Sequence, residues 1–223
     1  MTNELRKIIV TADPVIFRVG GDGLEFLVIK RNEQPFDQYL ALPGTMYDPD
    51  KHVDLNEPVG CKLFEKTGIA TFREQVETVG GPDRDPRGWS ISIVYLGLMR
   101  GGMDFTLEPD SIWVPVKDLE NTTLAFDHKK LVRIALNRLC SKARYSAIPM
   151  ALLPELFTMN EAKDVFELVL DSQIDLKSFS RRIDAANIVE FVGLRKTTGR
   201  GRPSEEYRLQ PDGEMFFFER QIC

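Results

Sequence analysis

Thr158-Met159-Asn160-Glu161, then Asp175-Leu176-Lys177-Ser178-Phe179-Ser180-Arg181-Arg182, then Gly199-Arg200-Gly201-Arg202-Pro203: these three stretches decide how the last third of the chain folds. A threonine followed three residues later by glutamate is a capping box, and it opens a helix that runs through Leu170. Gln173-Ile174-Asp175 makes a turn, and Asp175 caps a second helix over Leu176 to Ala186. Two strand-like runs follow, Ile188 to Lys196 and Glu205 to Leu209. Thr197 to Ser204, rich in Gly and closed by Pro203, joins them as a hairpin. Helix, turn, helix, hairpin is the order of a winged helix-turn-helix.

Charge sharpens this reading. From Lys177 to Arg208 there are eight basic and four acidic residues, inside a chain of net charge -5. A local basic excess of this kind is the footprint of a nucleic-acid face. Lys177, Ser178, Arg181 and Arg182 fall on one flank of the second helix, while Phe179, Ile183 and Ala186 turn inward. Ser and Arg in the first turns of such a helix, Ser180 included, suit base edges in the major groove. Lys196, Arg200 and Arg202 lie in the hairpin connection, where arginines beside glycines suit a narrow minor groove. The alternative is a solvated basic loop.

Upstream, Tyr145 to Leu156 contains proline and reads as a connector between a first domain, 1–144, and a second, 157–223. The first domain opens with two β-rich segments, Lys7 to Val19 and Leu24 to Lys30, joined at Gly20-Gly21-Asp22-Gly23. Asp54 to Thr67 reads as a helix weakened by Pro58 and Gly60. Ser90 to Met99 and Asp110 to Val116 read as strands. Asp127 to Ala143 is an amphipathic helix with Leu131, Ile134, Ala135 and Leu139 at helical spacing.

The bulk numbers are those of an ordinary globular chain: 223 residues, 43% hydrophobic and 28% charged. Three dispersed cysteines argue against a disulfide framework and fit a reducing cytosol. Two scattered histidines are too few for a His/Cys zinc site. No apolar run approaches membrane-spanning length, and the N-terminus lacks a signal-like apolar stretch, so the chain reads as cytoplasmic.

Candidate ligand contacts cluster in Gly81-Pro82-Asp83-Arg84-Asp85-Pro86-Arg87-Gly88-Trp89. Arg84 and Arg87 in a stiffened loop suit phosphate oxygens, and Trp89 suits stacking on a base. The competing reading is a surface turn held by Asp–Arg pairs. Arg31 with Pro35-Phe36, and Phe126-Asp127-His128 before the long helix, are weaker candidates; Phe126 reads as packing, and His128 as helping to begin the helix.

Leu42-Pro43-Gly44 and, later, Leu63-Phe64-Glu65-Lys66-Thr67-Gly68-Ile69 resemble the Nudix box, G-x5-E-x7-R-E-U-x-E-E-x-G-U, where U is aliphatic. Counted back from Gly68, the box arginine falls on Cys61 and its three late glutamates on Lys62, Glu65 and Lys66. The segment is also three residues longer than the pattern. Two metal-binding carboxylates are therefore ammonium groups, which disfavours divalent-cation chemistry. Two readings of the lysines stay open. An ammonium group at either position pairs with a ligand's diphosphate, or both merely decorate a solvent-facing helix.

Together with Arg84-Asp85-Pro86-Arg87-Gly88-Trp89, Leu124-Ala125-Phe126-Asp127-His128 and Gly199-Arg200-Gly201-Arg202-Pro203, the chain resembles NrtR-type regulators over nearly its whole length. The resemblance implies an α+β Nudix fold, a mixed sheet between helices, followed by a winged helix-turn-helix. It implies a non-enzymatic repressor without cofactor or catalytic metal, relieved by ADP-ribose or a related nucleotide and linked to NAD metabolism. Its partners would be a palindromic double-stranded operator and a second copy of the chain. The expected ligand set is Arg31, Gly44, Lys62, Arg84, Arg87, Trp89 and His128; the expected DNA set is Lys177, Ser178, Ser180, Arg181, Arg182, Lys196, Arg200 and Arg202. The alternatives are an active Nudix hydrolase cleaving ADP-ribose and a binding module that does not touch DNA.

Overall fold

The computed structural model describes residues 8–52, 72–102, 109–195 and 203–222. They divide into two compact units. One is built from the described residues of Met1–Phe17, Glu25–Gly97 and Phe105–Leu136, the other from those of Arg18–Leu24, Leu98–Asp104 and Asn137–Cys223. Among them no helix is long and apolar enough to cross a membrane.

The first unit is organised by a seven-stranded sheet. Its strands are β1 (Ile9–Gly20), β2 (Gly23–Lys30), β3 (Leu40–Ala41), β4 (Thr45–Met46), β5 (Phe72–Gly81), β6 (Ser90–Leu98) and β7 (Ser111–Pro115). The order is β3-β2-β1-β6-β5, with β4 paired to β1 and β7 to β2. β2 and β7 pair antiparallel from Glu25↔Pro115 to Ile29↔Ser111. β3 closes antiparallel on the end of β2, and Leu40 also forms a parallel bridge to Leu124, so both senses of pairing occur. β6 is buried along almost its whole length, as a strand covered on both faces must be. β5 gave no strand signal in the sequence: Phe-Arg-Glu-Gln-Val-Glu-Thr-Val-Gly-Gly is largely polar, and β5 ends the strand order, with Val79 its one buried hydrophobic among the described side chains.

The long helix α1 (His128–Ala143) starts one residue later than expected. Leu131, Val132, Ala135, Leu139 and Ala143 are fully buried along it, at spacings that hold one apolar face. The helix expected at Asp54–Thr67 lies outside the described residues.

The second unit follows the expected order. α2 (Met159–Leu170) carries both halves of the capping box: the Glu161 N–H donates to Thr158 Oγ1 at 3.2 Å, and the Thr158 N–H donates to Glu161 Oε2 at 2.7 Å. α3 (Leu176–Ala186) is capped by Asp175, whose Oδ1 accepts the Ser178 N–H at 2.8 Å. It ends at Asn187, in the left-handed conformation that asparagine tolerates. Phe166 of α2 and Phe179 of α3 meet edge to face at 5.1 Å, both fully buried, and fix the helix pair. The hairpin is β8 (Val189–Leu194) with β9 (Glu205–Leu209), antiparallel.

Two segments are more built than the sequence suggested. Tyr145 to Leu156 is no loose connector, because Ile148–Leu152 forms a 3-10 turn whose five residues are all buried. The C-terminal stretch also folds: Ser146 and Phe217 form an antiparallel bridge, and the Phe218 N–H donates to Tyr145 O at 2.8 Å. Replacing Thr158 by alanine removes the α2 cap and should lower stability by about 1 kcal/mol, read as a fall in the unfolding midpoint under urea.

Candidate functional site

A cleft of about 270 Å³ opens in the first unit between the start of β1, the 31–46 segment, the 84–87 loop and the start of α1. Its floor is set by a buried carboxylate. Asp13, 3% exposed, accepts hydrogen bonds from Thr11 Oγ1 at 2.7 Å and Ser92 Oγ at 2.5 Å. Gly44 closes over it so tightly that a Cβ there would stand 2.0 Å from Asp13 Oδ1. Only glycine fits at that position.

His128, 6% exposed, completes the floor. Its Nδ1 accepts the Leu42 N–H at 2.9 Å, so that nitrogen carries a lone pair and the ring is neutral with its proton on Nε2. Nε2 is 3.9 Å from Asp13 Oδ1. Burial pushes the imidazole pKa down; the Asp13 and Asp127 charges oppose this, and Arg84 and Arg31 reinforce it. The hydrogen-bond geometry and the electrostatics therefore agree on a neutral ring. His128 does begin α1, and it also anchors the Leu42-Pro43-Gly44 turn.

The arginines divide into two roles. Arg84 is almost fully enclosed: Nε and Nη2 donate to the two Asp127 oxygens at 3.1 and 2.9 Å, and Nη1 donates to Ser90 Oγ at 3.1 Å. It ties the loop to the residue before α1 rather than standing open to a phosphate, as the loop reading expected. Arg87 pairs with buried Asp85 through Nε and Nη2, the shortest contact being 2.7 Å, so the Asp–Arg turn reading holds for this pair. Burial would raise the Asp85 pKa, but the Arg87 hydrogen bonds hold it below the usual carboxylate range. The Arg87 side chain remains partly exposed at the cleft. Arg31 donates to the backbone carbonyls of Pro35 and Glu33 at 2.9 and 3.2 Å.

Phe126 organises the two outer arginines. The Arg31 guanidinium lies 5.0 Å from its ring centroid and that of Arg87 5.6 Å. Phe126 also meets Phe36 edge to face at 4.8 Å. Its φ of +54° and the +65° of Phe36 are rare for bulky side chains and mark backbone held in place by its surroundings. Phe126, whose favoured reading is packing, packs and also lines the cleft. Trp89 is half-exposed and does not line the cleft; its ring instead covers Gly80. Lys62 lies outside the described residues. Asp13, Thr11 and Glu33, which also line the cleft, carried no motif that would have singled them out.

In the second unit, α3 presents Lys177 and Arg181 exposed and Ser178 and Ser180 half-buried, while Phe179 and Ile183 are buried. Arg182, expected at the DNA, donates from Nη1 to the carbonyls of Arg220, at 3.2 Å, and Gln221. Arg195 is clamped by Glu161 at 2.6 and 3.0 Å and by Glu206 at 2.7 Å, which pins the hairpin to α2. It and Arg208, 3.4 Å from Glu155, are thus partly neutralised. Lys196, Arg200 and Arg202 lie outside the described residues.

Comparison with known proteins places the chain in one family. The model of the NrtR DNA-binding winged helix domain matches residues 149–209. A curated relative, the ADPR responsive transcriptional repressor NtrR of Acinetobacter baylyi, is 35% identical over 96% of this chain and 87% of its own. The chain belongs to the NrtR family. Shewanella oneidensis NrtR, solved with a 27mer DNA, is 36% identical with a TM-score of 0.86 over 96% of this chain and 99% of that one. The NUDIX domain of the same protein, solved with ADP ribose, is 33% identical with a TM-score of 0.56 over 62% of this chain and 93% of that one. The NrtR architecture of a Nudix domain followed by a winged helix is therefore present here.

Two outcomes follow from the cleft geometry. Gly44→Ala should destabilise the chain by about 1–3 kcal/mol through overpacking on Asp13, measured by urea unfolding. Because the folded state disfavours the His128 proton, the unfolded state binds more protons below about pH 6.5. Stability should accordingly fall as pH drops through that value, and His128→Asn should flatten this part of the pH profile.

Proposed function

We propose that this chain is a transcriptional repressor that binds a palindromic operator as a dimer and releases it on binding ADP-ribose or a close relative. The observation that carries this reading is the pairing of an arginine-lined cleft in a Nudix unit with an exposed basic helix in a winged-helix unit. Arg31 and Arg87 set two guanidinium groups over one aromatic ring. That arrangement suits the charge of a diphosphate through the Nη1 edge of each guanidinium, the nitrogen that neither arginine spends on an oxygen partner. Glu33, exposed at the rim, suits the hydroxyls of a ribose. In the dimer, two copies of α3 would enter successive major grooves about 34–36 Å apart, with Lys177, Ser178, Ser180 and Arg181 at the DNA. Lys196, Arg200 and Arg202 would follow in the hairpin. A coupling of about 1–3 kcal/mol between the two sites would change operator affinity about 5–150-fold. Such a regulator would act in the cytoplasm.

The non-hydrolytic part of the reading rests on Lys62 and Lys66, which replace box glutamates. An ammonium group at either position would disfavour a divalent cation and would suit a ligand's phosphates.

Calorimetric titration with ADP-ribose tests the cleft. Arg31→Ala should weaken binding at least tenfold while leaving the unfolding midpoint within a few degrees of wild type. Arg84→Ala, which strands Asp127, should cost about 3 kcal/mol of stability. Unchanged affinity in Arg31→Ala would remove the cleft from the account. Incubation with ADP-ribose and magnesium should give no AMP or ribose phosphate; their appearance at catalytic turnover would restore the hydrolase reading.

A further inference from the structure

The C-terminal strap, residues 216–221, has no place in a helix-turn-helix with a single wing, yet it is held firmly. The Ala147 N–H donates to Phe216 O at 2.9 Å, the Phe218 N–H to Tyr145 O at 2.8 Å, and the Ile222 N–H to Arg144 O at 2.7 Å. Phe218 is buried as its anchor. On the other side, Arg182 reaches from α3 to the carbonyls of Arg220 and Gln221. An arginine that spends its donors on two backbone carbonyls fixes the position of a segment, and here that segment carries a second arginine, Arg220.

The strap lies along one flank of α3. Ser178, Arg181, Arg182 and Ala185, spaced at three and four residues, share with Phe216, Phe218 and Arg220 a groove of about 490 Å³. The opposite flank of α3, at Ser180 and Asp184, shares a separate groove with Ser204 and Glu205 of the hairpin and the start of α2. The exposed face of α3 is therefore bordered on one side by the hairpin and on the other by the strap. Arg181 and Arg220 are both exposed, and among the described residues neither has a carboxylate partner. Among the described residues Glu219 is the one acidic residue lining the groove, against three arginines.

The geometry points to the strap as a second DNA-contacting element, in which Arg220 meets the phosphodiester backbone beside α3 and Arg182 is the positioning residue that holds it there. DNA is the occupant that the charge selects, since the groove is cationic and flanks the helix that the proposed function assigns to the major groove. The inference rests on that assignment. A phosphate contact carries no sequence information and contributes a salt-dependent attraction. Arg220 therefore raises affinity for any duplex, while Lys177 and Arg181 face the bases.

The test uses the full chain and a duplex that the wild-type protein selects from a random library. Binding is followed by fluorescence anisotropy over a range of salt. Arg220→Ala should leave the unfolding midpoint unchanged. It should lower affinity for the selected duplex and a scrambled one by the same factor, and reduce the slope of log affinity against log salt by about 0.9 per bound protomer. Arg182→Met should give the same loss with faster amide exchange at Phe218 and Ile222. Adding Arg220→Ala to it should then weaken binding no further. Undiminished affinity and slope in Arg220→Ala, with binding lost in Arg181→Ala, would overturn the strap proposal and leave the operator reading standing. A wild-type protein that selects no duplex would overturn both.

Discussion

The cleft depends on the largely enclosed pair between Arg84 and Asp127. One guanidinium, with little of its side chain exposed, joins the loop before β6 to the residue before α1. With that junction fixed, Phe126 is held in a left-handed backbone conformation that a free phenylalanine avoids. Its ring then serves as the surface on which Arg31 and Arg87 are set. The same junction starts α1 at His128, whose neutral ring holds the Leu42-Pro43-Gly44 turn over Asp13. A charge pair of this kind is a modest source of net stability but a strict source of position, because losing either partner leaves the other buried and unpaired.

Legibility in the sequence followed the range of the interactions. The capping box at Thr158–Glu161, the Asp175 cap and the inward spacing of Phe179 and Ile183 are local, and each appears in the structure as read. The apolar face of α1 was equally plain. The cleft was legible only in part. Arg31, Gly44, Arg84, Arg87 and His128 surround it, but which arginine stands open and which is consumed depends on Asp127, 43 residues from Arg84. Asp13 was invisible for the same reason: its partner Ser92 is 79 residues away, and Gly44 is glycine on its account. β5 escaped notice because a polar strand at the end of the sheet order carries little of the alternation that marks a strand.

The winged helix gave a similar lesson. A count of basic residues points to a nucleic-acid face in sum, but it cannot assign individual side chains. Arg195 holds the hairpin to α2 through two glutamates, and Arg182 holds the strap. Lys177 and Arg181 remain exposed on α3. Arginine does both kinds of work because its planar fork binds carboxylates, carbonyls and phosphates alike; only the fold decides which it meets.

A repressor released by its ligand requires that ligand in the cleft and operator on α3 oppose one another. Linkage makes this measurable from either end, since the factor by which ligand weakens DNA binding equals the factor by which DNA weakens ligand binding. The direct measurement is a titration of ADP-ribose into the full chain, alone and saturated with the duplex it selects. Binding to the DNA complex should be about 5–150-fold weaker. Equal affinity for the two forms, or tighter binding to the complex, would contradict it.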